Sequence, residues 1–100
     1  ETAAIREVFG SYADKLAVSS TKSMHGHALG AAAALETIAV VTALQQQIAP
    51  PTMNYNEVDP KCDLDYVPNK PRPMAINIAL NNSFAFGGQN SVTVLKRFSE

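Results

Sequence analysis

The chain has 100 residues, of which 46% are hydrophobic, as expected for one small globular domain. Its formal net charge of −1 argues against a protein that binds nucleic acid or an anionic membrane, since both functions usually need a basic patch. Charged residues make up 17% of the chain, below the usual quarter, which indicates that part of its surface is covered in the intact molecule.

The first nine residues show the spacing of a short amphipathic helix. Ala4, Ile5, Val8 and Phe9 recur at helical intervals, and Gly10 is a stop signal. The sequence begins inside this pattern with neither an initiator Met nor a signal peptide. We therefore expect the chain to be a processed piece or an excerpt.

An apolar helix is predicted in the centre of the chain, from about Leu29 to Gln47. A short strand over residues 16–19 and a polar corner over residues 19–23 precede it, and two prolines at 50–51 follow it. A helix that is apolar all round is buried in a large core or in a membrane. Its many alanines and the charge of Glu36 favour burial in protein, because a bilayer span needs about 20 strongly apolar residues. Covering it takes more protein than 100 residues easily provide.

The last half of the chain predicts a loop followed by two strands. Residues 52–73 form a proline-rich irregular segment with a brief extended piece at 64–66. Strands over 75–82 and 91–98 are predicted as antiparallel neighbours joined by a wide turn at 83–90. The fold class is therefore α/β, with a helix buried against a sheet.

The first candidate site lies at the polar corner. Lys22 and His27 occur where a strand gives way to the helix, and a neutral histidine there can donate a hydrogen bond to a developing oxyanion. The alternatives are that His27 only caps or packs, and that Lys22 is a solvated charge. Glu36 needs a partner inside an apolar helix, and Lys22 is the obvious candidate. Such a pair beside a histidine is typical of a site, the alternative being a structural ion pair.

The second candidate site is the segment S-F-A-F-G-G-Q-N. Phe84 and Phe86 flank Ala85, and Gly87 and Gly88 follow. Glycines allow backbone N–H groups to point at a ligand, and the aromatic rings can close an apolar tunnel. A hairpin turn with two core aromatics explains the same residues. The spacing fits neither phosphate-binding glycine motif.

Two other residue types give weaker signals. His25 and His27 lack a third ligand at suitable spacing for a metal. Cys62, the single cysteine, lies among acids, an unfavourable setting for a nucleophilic thiolate, so we interpret it as structural or incidental. One cysteine allows no internal disulfide, which is typical of a reducing compartment.

Two motifs together resemble the C-terminal half of the β-ketoacyl-acyl carrier protein synthases, the elongating condensing enzymes of fatty acid synthesis. These motifs are S-S-T-K-S-M-H-G-H-A-L-G-A-A-A-A-L-E at 19–36 and N-S-F-A-F-G-G-Q-N at 82–90. The linking residues P-P-T-M-N-Y-N and C-D-L-D-Y-V-P-N are also similar to that family, so the resemblance covers essentially the whole chain. It implies that residues 1–100 form one domain, the C-terminal half of a thiolase-like fold with a mixed sheet and a buried central helix.

The resemblance also implies roles for individual residues. The family uses a cysteine nucleophile, two histidines and a lysine, and this sequence matches the lysine at Lys22 and the second histidine at His27. Glu36 matches the family's buried glutamate, and the backbone N–H of Phe86 matches a donor of the oxyanion hole, its ring being a gate. The nucleophile and first histidine would precede Glu1. The implied substrate pocket is Phe84, Ala85, Phe86, Gly87 and Gly88.

The implied reaction is a decarboxylative Claisen condensation of malonyl-acyl carrier protein with an enzyme-bound acyl thioester. The implied partners are acyl carrier protein with acyl and malonyl groups, the N-terminal half of the enzyme and a second copy in a homodimer, without nucleic acid or membrane. No cofactor is implied except a structural monovalent cation near Glu36, Asn81 and Asn82. The implied location is the bacterial cytoplasm, or a plastid or mitochondrion in a eukaryote.

Two positions depart from the family pattern, and two rival functions stay open. Ala33 and Ala85 each stand where the family usually has glycine, and a Cβ at Ala85 restricts positive φ and stiffens the gate. The first rival is a non-catalytic chain-length-factor-like subunit or a polyketide ketosynthase subunit. The non-catalytic form is disfavoured because Lys22 and His27 are both present. The second is a free-standing module that binds acyl carrier protein, disfavoured because it would expose a large apolar face.

Overall fold

The computed structural model describes residues 1–99 and contains three α-helices and four strands. The helices are α1 (Thr2–Phe9), α2 (Lys22–His25) and α3 (Ala32–Gln46). The strands are β1 (Ile48–Ala49), β2 (Arg72–Pro73), β3 (Ile78–Ala85) and β4 (Gln89–Lys96). Short 3-10 turns occupy Gly10–Lys15, Leu29–Ala31 and Phe86–Gly88.

The amino-terminal segment confirms one prediction and corrects another. The predicted helix over residues 1–9 is α1, and it ends at Gly10, whose φ of 54° is in the left-handed region that glycine adopts without strain. The strand predicted over 16–19 is wrong. Only Ala17 forms an isolated bridge, with Asp65, and the Val18 N–H donates to the Asp65 carbonyl at 2.8 Å. One bridge is too little for a strand, so this segment is an extended lead into the corner.

The 3-10 turn Leu29–Ala31 and helix α3 after it together agree in extent with the predicted central helix. Only Ala32, Ala43 and Leu44 are buried in it by the rest of this chain. The large side chains in its middle, Leu35 and Ile38 among them, are exposed. Residues Leu29–Gln46 are long and apolar enough to cross a membrane, a property that the core helix of a soluble protein shares. The prediction that more protein is needed to cover this helix fits these exposures.

The exposed surface of the chain is larger than its mass predicts. A compact monomer of 10.7 kDa exposes about 5,500 Å², whereas this chain exposes 7249 Å². The core consists mostly of small residues, the buried apolar side chains being Ala13, Ala32, Ala43, Leu44, Ala49, Leu64 and Val67. So small a core leaves apolar faces of α3 and of the β3–β4 pair uncovered.

The strands form two antiparallel ladders. β1 pairs with β2, and β3 pairs with β4 over eight residues, from Ile78 opposite Lys96 to Ala85 opposite Gln89. Within residues 1–99, parallel pairing occurs only as isolated bridges at Ala17 and Thr52. The predicted antiparallel neighbours are confirmed, but β3 is shifted towards the carboxyl terminus, and the connecting turn is shorter than predicted.

One face of β3 packs against α3. Asn81 is 8% exposed and donates its side-chain N–H groups to the Ala33 carbonyl at 3.2 Å and to the Thr37 hydroxyl at 2.9 Å. Alternate residues of a strand point to opposite faces, and Ile78 and Leu80, on the face opposite Asn81, are exposed. Asn81 therefore fixes the register of the strand against the first two turns of α3.

Gln47 fastens the other end of α3. It adopts a left-handed φ of 58°, and its side-chain Nε2 donates to the carbonyls of Leu44 at 2.8 Å and Ile76 at 2.7 Å. Its Oε1 accepts the Ile76 N–H at 2.9 Å. These bonds satisfy a helix-terminal carbonyl and tie α3 to the segment that leads into β3.

We expect Gln47→Ala to lower the free energy of unfolding of the protein by about 2–3 kcal/mol, because three side-chain hydrogen bonds are lost and part-buried backbone groups are left unpaired. Gln45→Ala is the matched control, since Gln45 is exposed in the same last turn and should change stability by less than about 0.5 kcal/mol. Urea unfolding of both variants measures the difference. Equal unfolding free energies for Gln47→Ala and Gln45→Ala would show that the side-chain hydrogen bonds of Gln47 contribute nothing.

Candidate active site

The polar corner is held in place by the loop that follows β1. The Ser23 hydroxyl donates to the Ser20 carbonyl at 2.9 Å and accepts the Met53 N–H at 2.8 Å. The Ser20 N–H donates to the Thr52 hydroxyl at 3.3 Å. The corner contains the one-turn helix α2, which the sequence analysis did not predict, and it ends at Gly26 with a φ of 81°. On one side, the corner is therefore held by hydrogen bonds to the loop that follows β1.

Lys22 and Glu36 form the ion pair that was predicted. The Lys22 ammonium contacts Glu36 Oε1, with the lysine side chain 33% exposed and the glutamate side chain 12% exposed. The pair joins the first residue of α2 to the second turn of α3. Because Glu36 is mostly removed from water, loss of the ammonium would leave a poorly solvated carboxylate. The catalytic role assigned to these residues stays a prediction.

The ring of His27 is oriented by the residue two positions later. The Leu29 N–H donates to His27 Nδ1 at 3.0 Å. A neutral imidazole that accepts at Nδ1 carries its proton at Nε2, so the second ring nitrogen is left as an N–H donor. Leu29 has a φ of 50°, unusual for a leucine. Strained backbone of this kind clusters at functional sites, and here it aims the N–H at the ring.

The turn between β3 and β4 exposes both phenylalanines. Phe86 is 99% exposed and Phe84 is 61% exposed. The alternative interpretation, a hairpin turn with two core aromatics, therefore does not fit this chain. Gly87 and Gly88 have φ values of 79° and 78°, which side chains other than glycine adopt only with strain. Ala85 is extended, with a φ of −125°. The expected conflict between its Cβ and positive φ is therefore wrong for this conformation, and it applies only to conformers in which the turn moves.

The first two turns of α3 contact both the polar corner and strand β3. Glu36 reaches Lys22, while the adjacent Thr37 and the preceding turn hold Asn81, and Phe86 lies five residues beyond Asn81. Sequence reasoning missed the contact between Asn81 and Thr37. The available signal was a threonine in an apolar helix and an asparagine on the inner face of a strand, both of which need partners when buried.

The oxygen groups near Glu36 are a poor match for the expected monovalent cation. Lys22 already balances the charge of Glu36, and the amide N–H groups of Asn81 commit that side chain to α3. Asn82 is half-buried. Within residues 1–99, no group of three or more His, Cys, Asp or Glu side chains is placed to hold a metal ion. Cys62 is a half-buried free thiol in the 52–73 segment.

Asp65 stabilises the strand-like lead into the corner. Partial burial alone would raise the pKa of Asp65, but the contact with Arg72 and the Val67 N–H, which donates to its carboxylate at 3.0 Å, outweigh burial and lower the pKa. The backbone carbonyl of Asp65 also accepts the Val18 N–H. Asp65 therefore links Arg72 and Val67, through its carboxylate, to the segment that leads into the corner.

The lowered pKa of Asp65 predicts a defined acid sensitivity. The ionised carboxylate adds stability above its unfolded pKa, near 3.8, and that stability is lost as the pH falls through the lower folded pKa. We therefore expect Asp65→Asn to weaken the acid dependence of the unfolding free energy below about pH 4, with Glu57→Gln, an exposed acid, as control. Identical pH curves for Asp65→Asn and the parent would contradict this.

Comparison with known proteins supplies the context for this geometry. A model of the family described as "Beta-ketoacyl synthase, C-terminal domain" matches residues 1–56. Nodulation protein E of Rhizobium leguminosarum bv. trifolii is 55% identical over 97 residues, 97% of this chain and 24% of its own length. The 3-oxoacyl-[acyl-carrier-protein] synthase 2 of Coxiella burnetii is 56% identical over 97 residues, 97% of this chain and 23% of its own length.

Two solved structures have the same fold. A type II polyketide synthase ketosynthase, in complex with its acyl carrier protein and bound to the hexaketide, has a TM-score of 0.95 and 42% identity over 98% of this chain and 24% of that chain. The ishigamide ketosynthase/chain length factor has a TM-score of 0.92 and 42% identity over 99% of this chain and 24% of that chain. These structures confirm the α/β, thiolase-like fold class. The chain spans about a quarter of the length of the curated relatives it matches.

Proposed function

Because this chain belongs to the β-ketoacyl synthase family, as part of its C-terminal domain, we propose that the whole protein is a 3-oxoacyl-acyl carrier protein synthase. It condenses malonyl-acyl carrier protein with an acyl group carried on a cysteine of the remaining sequence. The observation that carries the proposal is the orientation of His27, whose Nδ1 accepts the Leu29 N–H and whose Nε2 is thereby left as a donor, close in sequence to the Lys22–Glu36 pair.

In the proposed reaction the acyl group is first held as a thioester on the cysteine. Malonyl-acyl carrier protein then loses carbon dioxide: the bond to the carboxylate breaks, and its electron pair forms an enolate on the malonyl thioester. Negative charge develops on the thioester oxygen, and the Nε2–H of His27 stabilises it by a hydrogen bond. The enolate carbon attacks the acyl carbonyl, and the tetrahedral oxyanion is held by the backbone N–H of Phe86. Its collapse forms the β-ketoacyl product and releases the cysteine thiolate.

Lys22 and Glu36 support this step by position. The ammonium fixes α2 against α3, and His27 follows α2 by two residues, across Gly26. The ion pair therefore helps to keep the chain at His27, and with it the Nε2–H donor, in one position.

We assign the enzyme to fatty acid elongation rather than to a polyketide pathway. The 56% identity to a 3-oxoacyl-acyl carrier protein synthase supports this assignment, while the 42% identity to the type II polyketide synthase structure keeps the polyketide ketosynthase as the second candidate. A non-catalytic chain-length subunit fits less well, because Lys22 and His27 are both present in a geometry suited to chemistry.

The proposal includes partners and a location. The partners are acyl carrier protein with acyl and malonyl groups, the rest of the synthase, which would cover α3, and a second copy in a homodimer. The location is the bacterial cytoplasm, or a plastid or mitochondrion in a eukaryote. No cofactor takes part. The residues Glu36, Asn81 and Asn82 are a poor match for a monovalent cation, and no step depends on one.

A chimera tests the proposed function directly. The matching 97 residues of the Coxiella burnetii synthase are replaced by this chain, and the chimera is supplied with acyl- and malonyl-acyl carrier protein. We expect carbon dioxide release and β-ketoacyl product together. A folded chimera that makes neither would refute the proposal. Turnover only with polyketide intermediates, and not with saturated acyl primers, would move the assignment to the second candidate.

The alanine at position 85 should slow acyl loading. Ala85 is extended in this structure, but its Cβ raises the energy of any gate conformer that needs positive φ, by about 1 kcal/mol. We expect Ala85→Gly to speed loading of long acyl donors by about fivefold, with Ala75→Gly, an exposed site before β3, as the control. Loading is followed as acyl transfer to the cysteine before malonyl-acyl carrier protein is added. Equal rates for the parent and Ala85→Gly would discard the idea.

A further inference from the structure

His25 has no role in the proposed reaction, yet it makes a specific contact. Its Nε2 lies 3.0 Å from the hydroxyl oxygen of Thr21, four residues earlier. Thr21 is 8% exposed and immediately precedes Lys22, while His25 is exposed. A threonine hydroxyl both donates and accepts, so this bond forms with either tautomer of the ring. The contact spans the whole of α2.

Helix α2 needs such a contact because it is very short. Isolated helices of fewer than about 12 residues are marginal in water, and α2 has four. One of its backbone bonds is long, from the His25 N–H to the Thr21 carbonyl at 3.4 Å. One side of the corner is fastened by the Ser23 bonds to Ser20 and Met53.

Towards α3, α2 is held at its first residue by the Lys22–Glu36 ion pair. An open, mostly apolar cavity of about 340 Å³ separates Thr21, Met24 and His25 from the middle of α3, including Ala39 and Ala43. Direct packing across this gap is therefore incomplete within the chain. The Thr21–His25 bond is the side-chain hydrogen bond that closes the turn on the cavity side.

From these contacts we propose that His25 is a positioning residue, which holds the turn carrying Lys22 through its bond to Thr21. A closed turn places the Lys22 ammonium against Glu36 and fixes the chain direction at Gly26, where it turns towards His27. Without the bond, α2 frays from its carboxyl end. The inference rests on the proposed synthase activity, because its effect on turnover passes through Lys22 and His27.

The kinetic test uses His25→Ala, His25→Gln and Thr21→Ala in the active chimera. We expect His25→Ala to lower kcat for malonyl decarboxylation about tenfold, with KM for malonyl-acyl carrier protein within about twofold. Thr21→Ala should act alike, and the double variant should lose no more than either single variant, since both remove one bond. His25→Gln, whose amide reaches the hydroxyl, should recover most of the rate. An unchanged kcat in His25→Ala, or losses that multiply in the double variant, would overturn the proposal.

Hydrogen exchange separates this inference from the proposed function. In His25→Ala the backbone amides of residues 22–26 should exchange at least about fivefold faster than in the parent, while those of α3 stay unchanged. Unchanged exchange at residues 22–26 would overturn the inference even if activity falls. If the parent chimera shows no decarboxylation but His25→Ala still frees these amides, the proposed function fails and the positioning contact stands.

Discussion

Replacing His27 by alanine is expected to lower the rate of malonyl decarboxylation by the active synthase about 10²–10³-fold, the usual cost of removing one preorganised oxyanion donor. The reason is geometric. The Leu29 N–H holds Nδ1, so Nε2 presents its proton in a fixed direction, and alanine removes that donor without removing a buried side chain. In the proposed mechanism the donor acts on charge that develops in the transition state, so kcat should fall far more than the affinity for malonyl-acyl carrier protein.

Two controls make the result specific to the donor. Acyl transfer to the cysteine, measured without malonyl-acyl carrier protein, should persist in His27→Ala, because that step precedes enolate formation. Lys70→Ala removes an exposed charge from the proline-rich loop and should leave turnover unchanged. Near-normal carbon dioxide release from His27→Ala would show that this histidine only caps or packs, the alternative that the residues alone left open.

Local sequence patterns predicted the long elements well and the short ones badly. Helix α1 follows from hydrophobic spacing, α3 from a continuous apolar run that ends before two prolines, and the β3–β4 pair from two strand-forming segments around a turn. Helix α2 spans four residues and is held by contacts with a loop about 30 positions away, which no local pattern records. The same limit explains the wrong strand at 16–19. Its residues have the right composition, but only Ala17 among them forms a β-bridge.

The candidate site was predictable where burial imposes a cost and unpredictable where backbone geometry decides. A carboxylate in an apolar helix needs a cation, so the contact between Glu36 and Lys22 could be predicted from the sequence. The orientation of His27 could not, since it depends on the left-handed backbone of Leu29, which leucine rarely adopts. The extended conformation of Ala85 was likewise invisible to reasoning from residue type alone.

The Lys22–Glu36 pair offers a test that separates catalysis from stability. Lys22→Met leaves a glutamate that is 12% exposed without its counter-charge, and we expect the free energy of unfolding to fall by about 1–3 kcal/mol, at the lower end because the lysine is partly exposed. Adding Glu36→Gln removes the uncompensated charge. The double variant should therefore recover most of the lost stability, as neutral replacements of buried ion pairs often do.

Decarboxylation should not recover in the same double variant. If the pair acts through its charge and its hold on α2, then Lys22→Met and the double variant should both lose at least about tenfold in kcat, although their stabilities differ. A purely structural ion pair makes the opposite prediction, in which activity returns together with stability. Urea unfolding and carbon dioxide release measured on the same two preparations decide between them. Recovery of both properties would show that Lys22 and Glu36 stabilise the fold and have no further part in the proposed mechanism.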